Sequence, residues 1–285
     1  MKKDDNFLTL ILLTAIFLIG GALLYASGPR LQETSVGQLE SAVLPQGGIT
    51  LPIKWGDLGL QLVDAGVIDP DKLEAIYQDR GGLPEEAKTL LYEQRNVPVK
   101  MTPENANTLL NIFWAFGLGN KNPILEDGPM MSYGDPSNFA STGGWTLAKG
   151  DAMNHYSKHP LVALNAEQQK LVERVSQNIY RPCCNNPTYF PDCNHGMAML
   201  GLLEMMAANG VSEEEMYKVA LQVNAYWFPD TYVTVAKYFA DQGTEWNRVN
   251  PREVLGRNYS SASGYQKVFE AVGPIELRQG GGCGV

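Results

Sequence analysis

Three of the four cysteines and one of the three histidines lie within thirteen consecutive residues of this 285-residue chain. They are Cys183, Cys184, Cys193 and His195. Thiolates and imidazoles bind soft metal ions, and thiols also exchange with disulfides, so this grouping predicts metal or thiol chemistry. The fourth cysteine, Cys283, follows three glycines near the end of the sequence and is a candidate mobile thiol.

Three interpretations of this cluster are open. In the first, the three grouped cysteines and His195 form a copper or zinc site, with copper the more plausible metal, Met199 as a weak thioether ligand and Cys283 as a further thiol ligand. In the second, Cys193 is an activated thiolate that exchanges with a resolving partner from the vicinal pair. In the third, two disulfides staple the loop and have no chemical role.

A helix is predicted to begin at the cluster and to run over about 193–209. Asp192 or Asn194 is its expected N-cap. With Asp192 as the cap, Cys193 lies in the first turn, where free backbone N–H groups and the helix dipole favour a thiolate. Arg181 adds a positive charge that favours the same form.

The segment Phe7–Ala26 has twenty residues and no charge, which is the length that spans a bilayer as a helix. Cleavage sites near it are poor, so residues 1–27 are predicted to be an uncleaved membrane anchor in preference to a cleaved signal. Lys2 and Lys3 place the short N-terminus on the cytoplasmic side. We therefore expect a membrane-anchored protein that faces the periplasm or the extracellular space, where disulfides persist.

The composition limits the partners of the protein. Its formal net charge is −9, and no basic run occurs after the first three residues, which argues against a nucleic-acid partner. The apolar content of 44% supports a substantial hydrophobic core. The expected partner is the membrane, which the N-terminal helix would span. No sequence motif identifies a protein partner.

The rest of the chain predicts a mainly α fold, with an all-helical body joined by long loops. We expect a linker over 28–54, a first helical part over 55–150 and a second, Cys/His-containing part over 151–285. Proline with acidic residues marks helix starts near Pro70, Pro84 and Pro103, and further helices are predicted over 165–180, 229–241 and 260–271. Strand-like alternation is confined to Tyr232–Val235.

Three motifs between residues 180 and 228 resemble those of a known family. Arg181-Pro-Cys183-Cys184 is similar to its Arg-Cys-x-x-Cys turn, Asp192-Cys193-Asn194 to its Asp-Ser-Asn helix start, and Gly210–Glu215 to the start of its next helix. The family is the periplasmic thiol domain of the cytochrome c maturation protein CcmH. Here the two residues between the cysteines are missing, and a third cysteine replaces the serine. The resemblance implies a membrane-anchored helix–loop–helix thiol module outside the cytoplasm.

Two other features have weaker chemical signals. His155 and His159 are four residues apart, but they lack the glutamate of a metalloprotease motif and stop at Pro160, so solvent or capping roles are favoured. Glu204 lies on the helix that follows His195 and is predicted to be a surface carboxylate.

Overall fold

The computed structural model describes residues 35–94 and 98–275. Within them the chain forms thirteen α-helices and two short strands, which confirms the mainly α class. The predicted membrane segment Phe7–Ala26 and Cys283 lie outside the described residues. Across 35–94 and 98–275, no helix combines the length and the apolar character needed to cross a bilayer.

The elements follow one another along the chain in this order: α1 (Val36–Val43), β1 (Ile49–Lys54), α2 (Leu58–Asp64), α3 (Pro70–Gln78), α4 (Glu85–Tyr92), β2 (Pro98–Met101), α5 (Ala106–Gly119), α6 (Pro123–Asp127), α7 (Ala166–Ser176), α8 (Asn194–Ala208), α9 (Glu213–Trp227), α10 (Pro229–Asp241), α11 (Pro251–Val254), α12 (Arg257–Ser260) and α13 (Ala262–Val272). Short 3₁₀ turns occur at Pro129–Tyr133, Pro136–Asn138, Ala152–Asn154 and Trp246–Arg248.

The predicted linker over 28–54 is wrong from residue 35 onward. Helix α1 buries Leu39 and Val43, and strand β1, which pairs antiparallel with β2, buries Leu51 and Ile53. The glycines and prolines of this stretch suggested a tether, but four inward apolar side chains are enough to fix it on the core. The residues that pair with β1 lie in β2, at a distance along the chain. Local sequence patterns do not reveal such a pairing.

Several predicted helix boundaries are confirmed, and others shift. Pro70 begins α3, and the Asp69 side chain caps it by accepting two backbone N–H groups. Helix α4 begins just after Pro84, whereas α5 begins only at Ala106. The strand-like run Tyr232–Val235 lies within α10, where all four side chains are buried, so its apolar character reflects burial rather than a β-strand.

Helices α5 and α8 pack against each other at the centre of the core, and both are buried on nearly every side. Glycine permits their close approach: a Cβ on Gly117 would lie 2.2 Å from the Met197 carbonyl oxygen, and one on Gly201 would lie 2.9 Å from the Gly117 nitrogen. Because α5 belongs to the predicted part 55–150 and α8 to the part 151–285, the two parts share one core. The same contact fixes the start of α8, where His195 lies.

We expect Gly117→Ala to lower the free energy of unfolding by about 1–3 kcal/mol, because the added methyl group must push α5 away from α8. The matched control is Gly47→Ala, where a Cβ meets no atom within 4 Å. Urea unfolding followed by circular dichroism measures both changes. Equal stability of the two variants would show that the helices do not depend on this close approach.

Candidate metal and thiol site

The structure brings three of the predicted ligands together. The sulfurs of Cys183 and Cys193 and a ring nitrogen of His195 all lie within 4.8 Å of one another, and the two sulfurs are 3.4 Å apart. A second group joins Cys184 and Asp192 to the same Cys193 sulfur. Cys193 therefore belongs to both groups and is the central residue of the cluster.

Two further predicted ligands, Met199 and Cys283, do not belong to either of these groups of described residues. Met199 lies one helical turn after His195 and is 1% exposed in the hydrophobic core, so its role as a ligand stays a prediction. Cys283 lies outside the described residues. The three described cysteines, Cys183, Cys184 and Cys193, are free thiols, so no disulfide links them to one another.

Cys193 is itself the N-cap of α8. Its sulfur accepts the Gly196 N–H at 3.4 Å, so the expected capping by Asp192 or Asn194 is wrong. The reason is that the Asp192 carboxylate is held elsewhere, by the Arg181 guanidinium at 2.6 Å. A sulfur at this position receives both the exposed backbone N–H and the positive end of the helix dipole, which favour a thiolate.

The Arg181 guanidinium is 1% exposed and organises the whole loop from 182 to 192. Its Nε donates to the Cys193 sulfur at 2.9 Å, and its two terminal nitrogens donate to the carbonyl oxygens of Asn186 and Phe190, each at 3.0 Å. The ion pair with Asp192 completes the set. A buried cation is stable only when paired and hydrogen-bonded, so the loop must close around this group.

Space for the guanidinium comes from a glycine in the first turn of α8. A Cβ on Gly196 would lie 2.4 Å from the central carbon of the Arg181 guanidinium. The loop is also tied to a neighbouring helix, because the Ala262 N–H donates to the Cys184 carbonyl at 2.8 Å and the Ser263 N–H donates to the Asn185 side chain at 2.9 Å. The cysteines are thus held on a fixed loop.

The pKa values of the three thiols are shifted in different directions. Hydrogen bonds from Cys183 and Cys184, the charge of Arg181 and a hydrogen bond from His195 hold the pKa of Cys193 well below its usual range, against the opposing effect of burial. Hydrogen bonds to the other two thiols and burial raise the pKa of Cys183. For Cys184, a hydrogen bond from Cys183 lowers the pKa, but donation to Cys193 and burial raise it to about 11. Of the three thiols, Cys193 is therefore the one whose surroundings favour the thiolate.

His195 is 6% exposed and is fixed by aromatic contacts. Its ring centroid lies 4.4 Å from that of Phe228 and 5.7 Å from that of Trp227. Its Nδ1 is buried and has no hydrogen-bond partner among the described residues. A buried ring nitrogen without a partner costs free energy unless a proton donor, an acceptor or a metal ion satisfies it.

A cavity of about 480 Å³ opens beside His195 and was not predicted from the sequence. Its lining comes from the end of α3, one face of α5, the loop at 144–147 and the start of α8. The local sequence signal for it is the pair of asparagines Asn107 and Asn111 in the mostly apolar α5, spaced to share one helix face.

The His155–His159 pair is separate from the cluster. It follows the short 3₁₀ turn Ala152–Asn154, and there His155 Nδ1 and His159 Nε2 are 3.1 Å apart and His155 Nε2 lies 3.0 Å from the Lys149 carbonyl oxygen. Burial and the neighbouring His155 lower the pKa of His159. Within the described residues, the two histidines belong to no group of three potential ligands, so their favoured role is hydrogen bonding.

Glu204 is fully buried, which makes the predicted surface position wrong. It lies on α8, which has no solvent-facing side at this point, and it accepts a hydrogen bond from the Asn120 side chain. Its other oxygen has no partner among the described residues. Burial raises the pKa of Glu204 to about 8, although the neighbouring Asn120 and Asn122 side chains oppose this.

In metal-free, reduced protein, we expect iodoacetamide to alkylate Cys193 at a pH well below that at which an ordinary thiol reacts, because its thiolate is stabilised. Peptide mass spectrometry identifies the modified cysteine across a pH series. Cys183→Ala removes a hydrogen bond to the thiolate and should move the midpoint for Cys193 upward. An unshifted Cys193 midpoint in the wild type, near that of a model thiol, would contradict the assigned thiolate.

We expect the stability of the wild type to fall as pH rises from about 4.5 to about 8, because the unfolded chain releases the Glu204 proton in this window while the folded chain retains it. Glu204→Gln should abolish this loss and raise the melting temperature by several degrees at about pH 9, with little change near pH 4.5. The control is Glu270→Gln, an exposed side chain on α13. Parallel pH profiles for wild type and Glu204→Gln in calorimetry would contradict the assignment.

No protein-family model matches this chain, and the comparisons found no curated protein or solved structure with significant similarity to it. The resemblance to the CcmH thiol domain therefore rests on the three motifs alone and stays a prediction. What the structure itself establishes is a mainly α-helical body with a Cys/His cluster that could hold a metal ion.

Proposed function

We propose that this protein binds one soft transition-metal ion, copper(I) or zinc, through Cys183, Cys193 and His195. The observation that carries the proposal is the convergence of two sulfurs and an imidazole nitrogen within 4.8 Å of one another. Sulfur and imidazole ligands favour copper(I) and zinc over hard cations such as magnesium and calcium.

The surroundings of the three donors support this function. The surroundings of Cys193 favour its thiolate, while Cys183 would release its proton to solvent as it binds the metal. Arg181 donates to the Cys193 sulfur and would orient it, as outer hydrogen bonds commonly do for metal ligands. His195 is buried and packs against two aromatic rings, so little side-chain entropy remains to be lost when its nitrogen binds.

We also propose that the metal-binding body is anchored in a membrane and faces the periplasm or the extracellular space. This part rests on the uncharged segment Phe7–Ala26 and on Lys2 and Lys3 before it. A cytoplasm-specific reporter fused after Val285 should stay silent if this topology is correct.

The second candidate function is thiol–disulfide exchange, as the CcmH resemblance implies. The favouring observation is that the Cys193 sulfur, whose surroundings favour the thiolate, lies 3.4 Å from the exposed sulfur of Cys183, close enough for the two to form a disulfide after exchange. In this reaction Cys193 attacks a partner disulfide, a mixed disulfide forms and one partner thiolate leaves. Cys183 then gives its proton to solvent, attacks the Cys193 sulfur of the mixed disulfide and displaces the second partner thiolate. The protein is oxidised and the partner disulfide is reduced.

Metal loading under anaerobic conditions tests the proposed site. We expect about one copper(I) or zinc ion per wild-type chain by elemental analysis, and loss of this ion in Cys193→Ser and His195→Gln. Cys184→Ser is the matched control, because it removes a neighbouring thiol that does not belong to the group formed by Cys183, Cys193 and His195, and it should retain the ion. Arg181→Lys should weaken binding by about 10–100-fold while leaving the stoichiometry unchanged.

The alternative outcomes separate the functions. A metal-free protein in which a Cys183–Cys193 disulfide forms and is reduced reversibly would replace the metal proposal with thiol–disulfide exchange. A metal-free protein whose cysteines form two redox-inert disulfides that include Cys283 would reduce the cluster to a structural staple. Equal metal content in Cys193→Ser and wild type would also overturn the proposal.

A further inference from the structure

The two sulfur ligands of the proposed metal site also lie close enough to bond to each other. The sulfurs of Cys183 and Cys193 are 3.4 Å apart, and a disulfide bond is about 2.05 Å long, so they need to approach by only about 1.4 Å. A sulfur that is part of a disulfide no longer has the thiolate charge with which it binds a metal ion. The same two atoms can therefore hold a metal ion or form a disulfide, but not both.

Cys183 is the ligand that an oxidant in solution reaches most easily. It is exposed, whereas Cys193 is half-buried and His195 is 6% exposed. Metal binding requires both cysteines to lose their protons, so Cys183 becomes a thiolate once the ion is bound. An exposed thiolate attacks a disulfide, and Cys193 then lies 3.4 Å away as the second thiolate that completes the exchange.

Oxidation of Cys193 removes a ligand from both groups of donors in the cluster. Cys193 belongs to the group with Cys183 and His195 and also to the group with Cys184 and Asp192. In the first group His195 would be the only donor left, and in the second Asp192 is already paired with the Arg181 guanidinium. Zinc sites in proteins use three or four protein ligands, so neither remainder retains the ion.

The loop has a reason to stay closed when Cys193 loses its charge. The Arg181 guanidinium has two acidic partners, the Cys193 sulfur at 2.9 Å and the Asp192 carboxylate at 2.6 Å. A disulfide would make the first partner neutral, but Asp192 and the carbonyl oxygens of Asn186 and Phe190 would still satisfy the buried cation. Oxidation would thus leave the loop in place, and reduction would restore the two sulfur ligands.

We propose that this protein releases its metal ion when a small-molecule disulfide oxidises Cys183 and Cys193 to a disulfide, and binds the ion again when that disulfide is reduced. This inference rests on the metal site proposed above and adds oxidant-driven metal release to it. It differs from the second candidate function, in which no metal ion takes part.

The reaction has two steps when the bound ion is zinc. First, the Cys183 thiolate leaves the zinc ion and attacks the small disulfide, which forms a mixed disulfide and releases one thiolate. The Cys193 thiolate then leaves the zinc ion, attacks the Cys183 sulfur and displaces the second thiolate. Two electrons pass from the two cysteines to the small disulfide. Both zinc–sulfur bonds break, and the zinc ion passes to solvent with its charge unchanged.

Treatment of the zinc-loaded full chain with glutathione disulfide, in the absence of oxygen, tests the inference. A chromogenic chelator measures released zinc, and peptide mass spectrometry identifies the cysteines that have paired. We expect about one zinc ion and about two glutathione thiols to be released for each Cys183–Cys193 disulfide that forms. Protein that is oxidised first should bind zinc at least about 100-fold more weakly than reduced protein, and reduction with a phosphine should restore binding.

Three controls separate oxidation from other causes of zinc loss. Reduced glutathione, at twice the concentration of the disulfide, should leave the zinc bound, because it cannot oxidise the cysteines. Cys184→Ser and Cys283→Ser each remove a cysteine outside the proposed pair. Both variants should release zinc on oxidation to the same extent as the wild type.

The contrary outcomes distinguish this inference from the proposed function. Zinc that stays bound after treatment with glutathione disulfide would overturn the inference and leave the metal site intact. Zinc release without a Cys183–Cys193 disulfide, or equal release by reduced glutathione, would overturn it as well. Failure of the wild type to load zinc or copper would overturn the proposed function, and the inference with it.

Discussion

The buried guanidinium of Arg181 is the group on which the cluster depends. Without its partners it would be an isolated charge in the protein interior, which is far too costly to persist. The Cys193 thiolate, the Asp192 carboxylate and two loop carbonyls satisfy it together. This requirement closes the loop, brings Cys183 to within 3.4 Å of Cys193, and favours a thiolate at the start of α8. The buried guanidinium of Arg181 thus contributes both to the shape of the loop and to the tendency of Cys193 to lose its proton.

The position of the loop depends on the position of helix α8, which follows it. Helix α8 is held against α5 by a contact so close that glycine is required on both helices, and Gly196 leaves the space that the guanidinium fills. His195 is held in the same turn by Trp227 and Phe228. A rigid support of this kind lets three donors from one loop and one helix start hold a geometry that a metal ion can use without large rearrangement.

Local patterns predicted the helices and the identity of the cluster, but not the features that depend on distant partners. Helix starts such as Pro70 and the thiolate-favouring start of α8 follow from chemistry within a few residues. The burial of Glu204 does not follow from local chemistry. Glutamate is rarely found inside a protein, and only the packing of α8 places this one there. The β1–β2 pair, which replaces much of the expected linker, and the cavity, whose walls come from four separated segments, exist only after the chain has folded.

The most direct test of the metal site is X-ray absorption at the zinc edge of the zinc-loaded protein. Two sulfur neighbours at about 2.3 Å and at least one nitrogen neighbour at about 2.0–2.1 Å would agree with binding by Cys183, Cys193 and His195. The sulfur signal should fall in Cys183→Ser, which leaves Cys193 and His195 in place. A spectrum with only oxygen and nitrogen neighbours, or one unchanged by Cys183→Ser, would contradict the assignment of the cluster as a metal site.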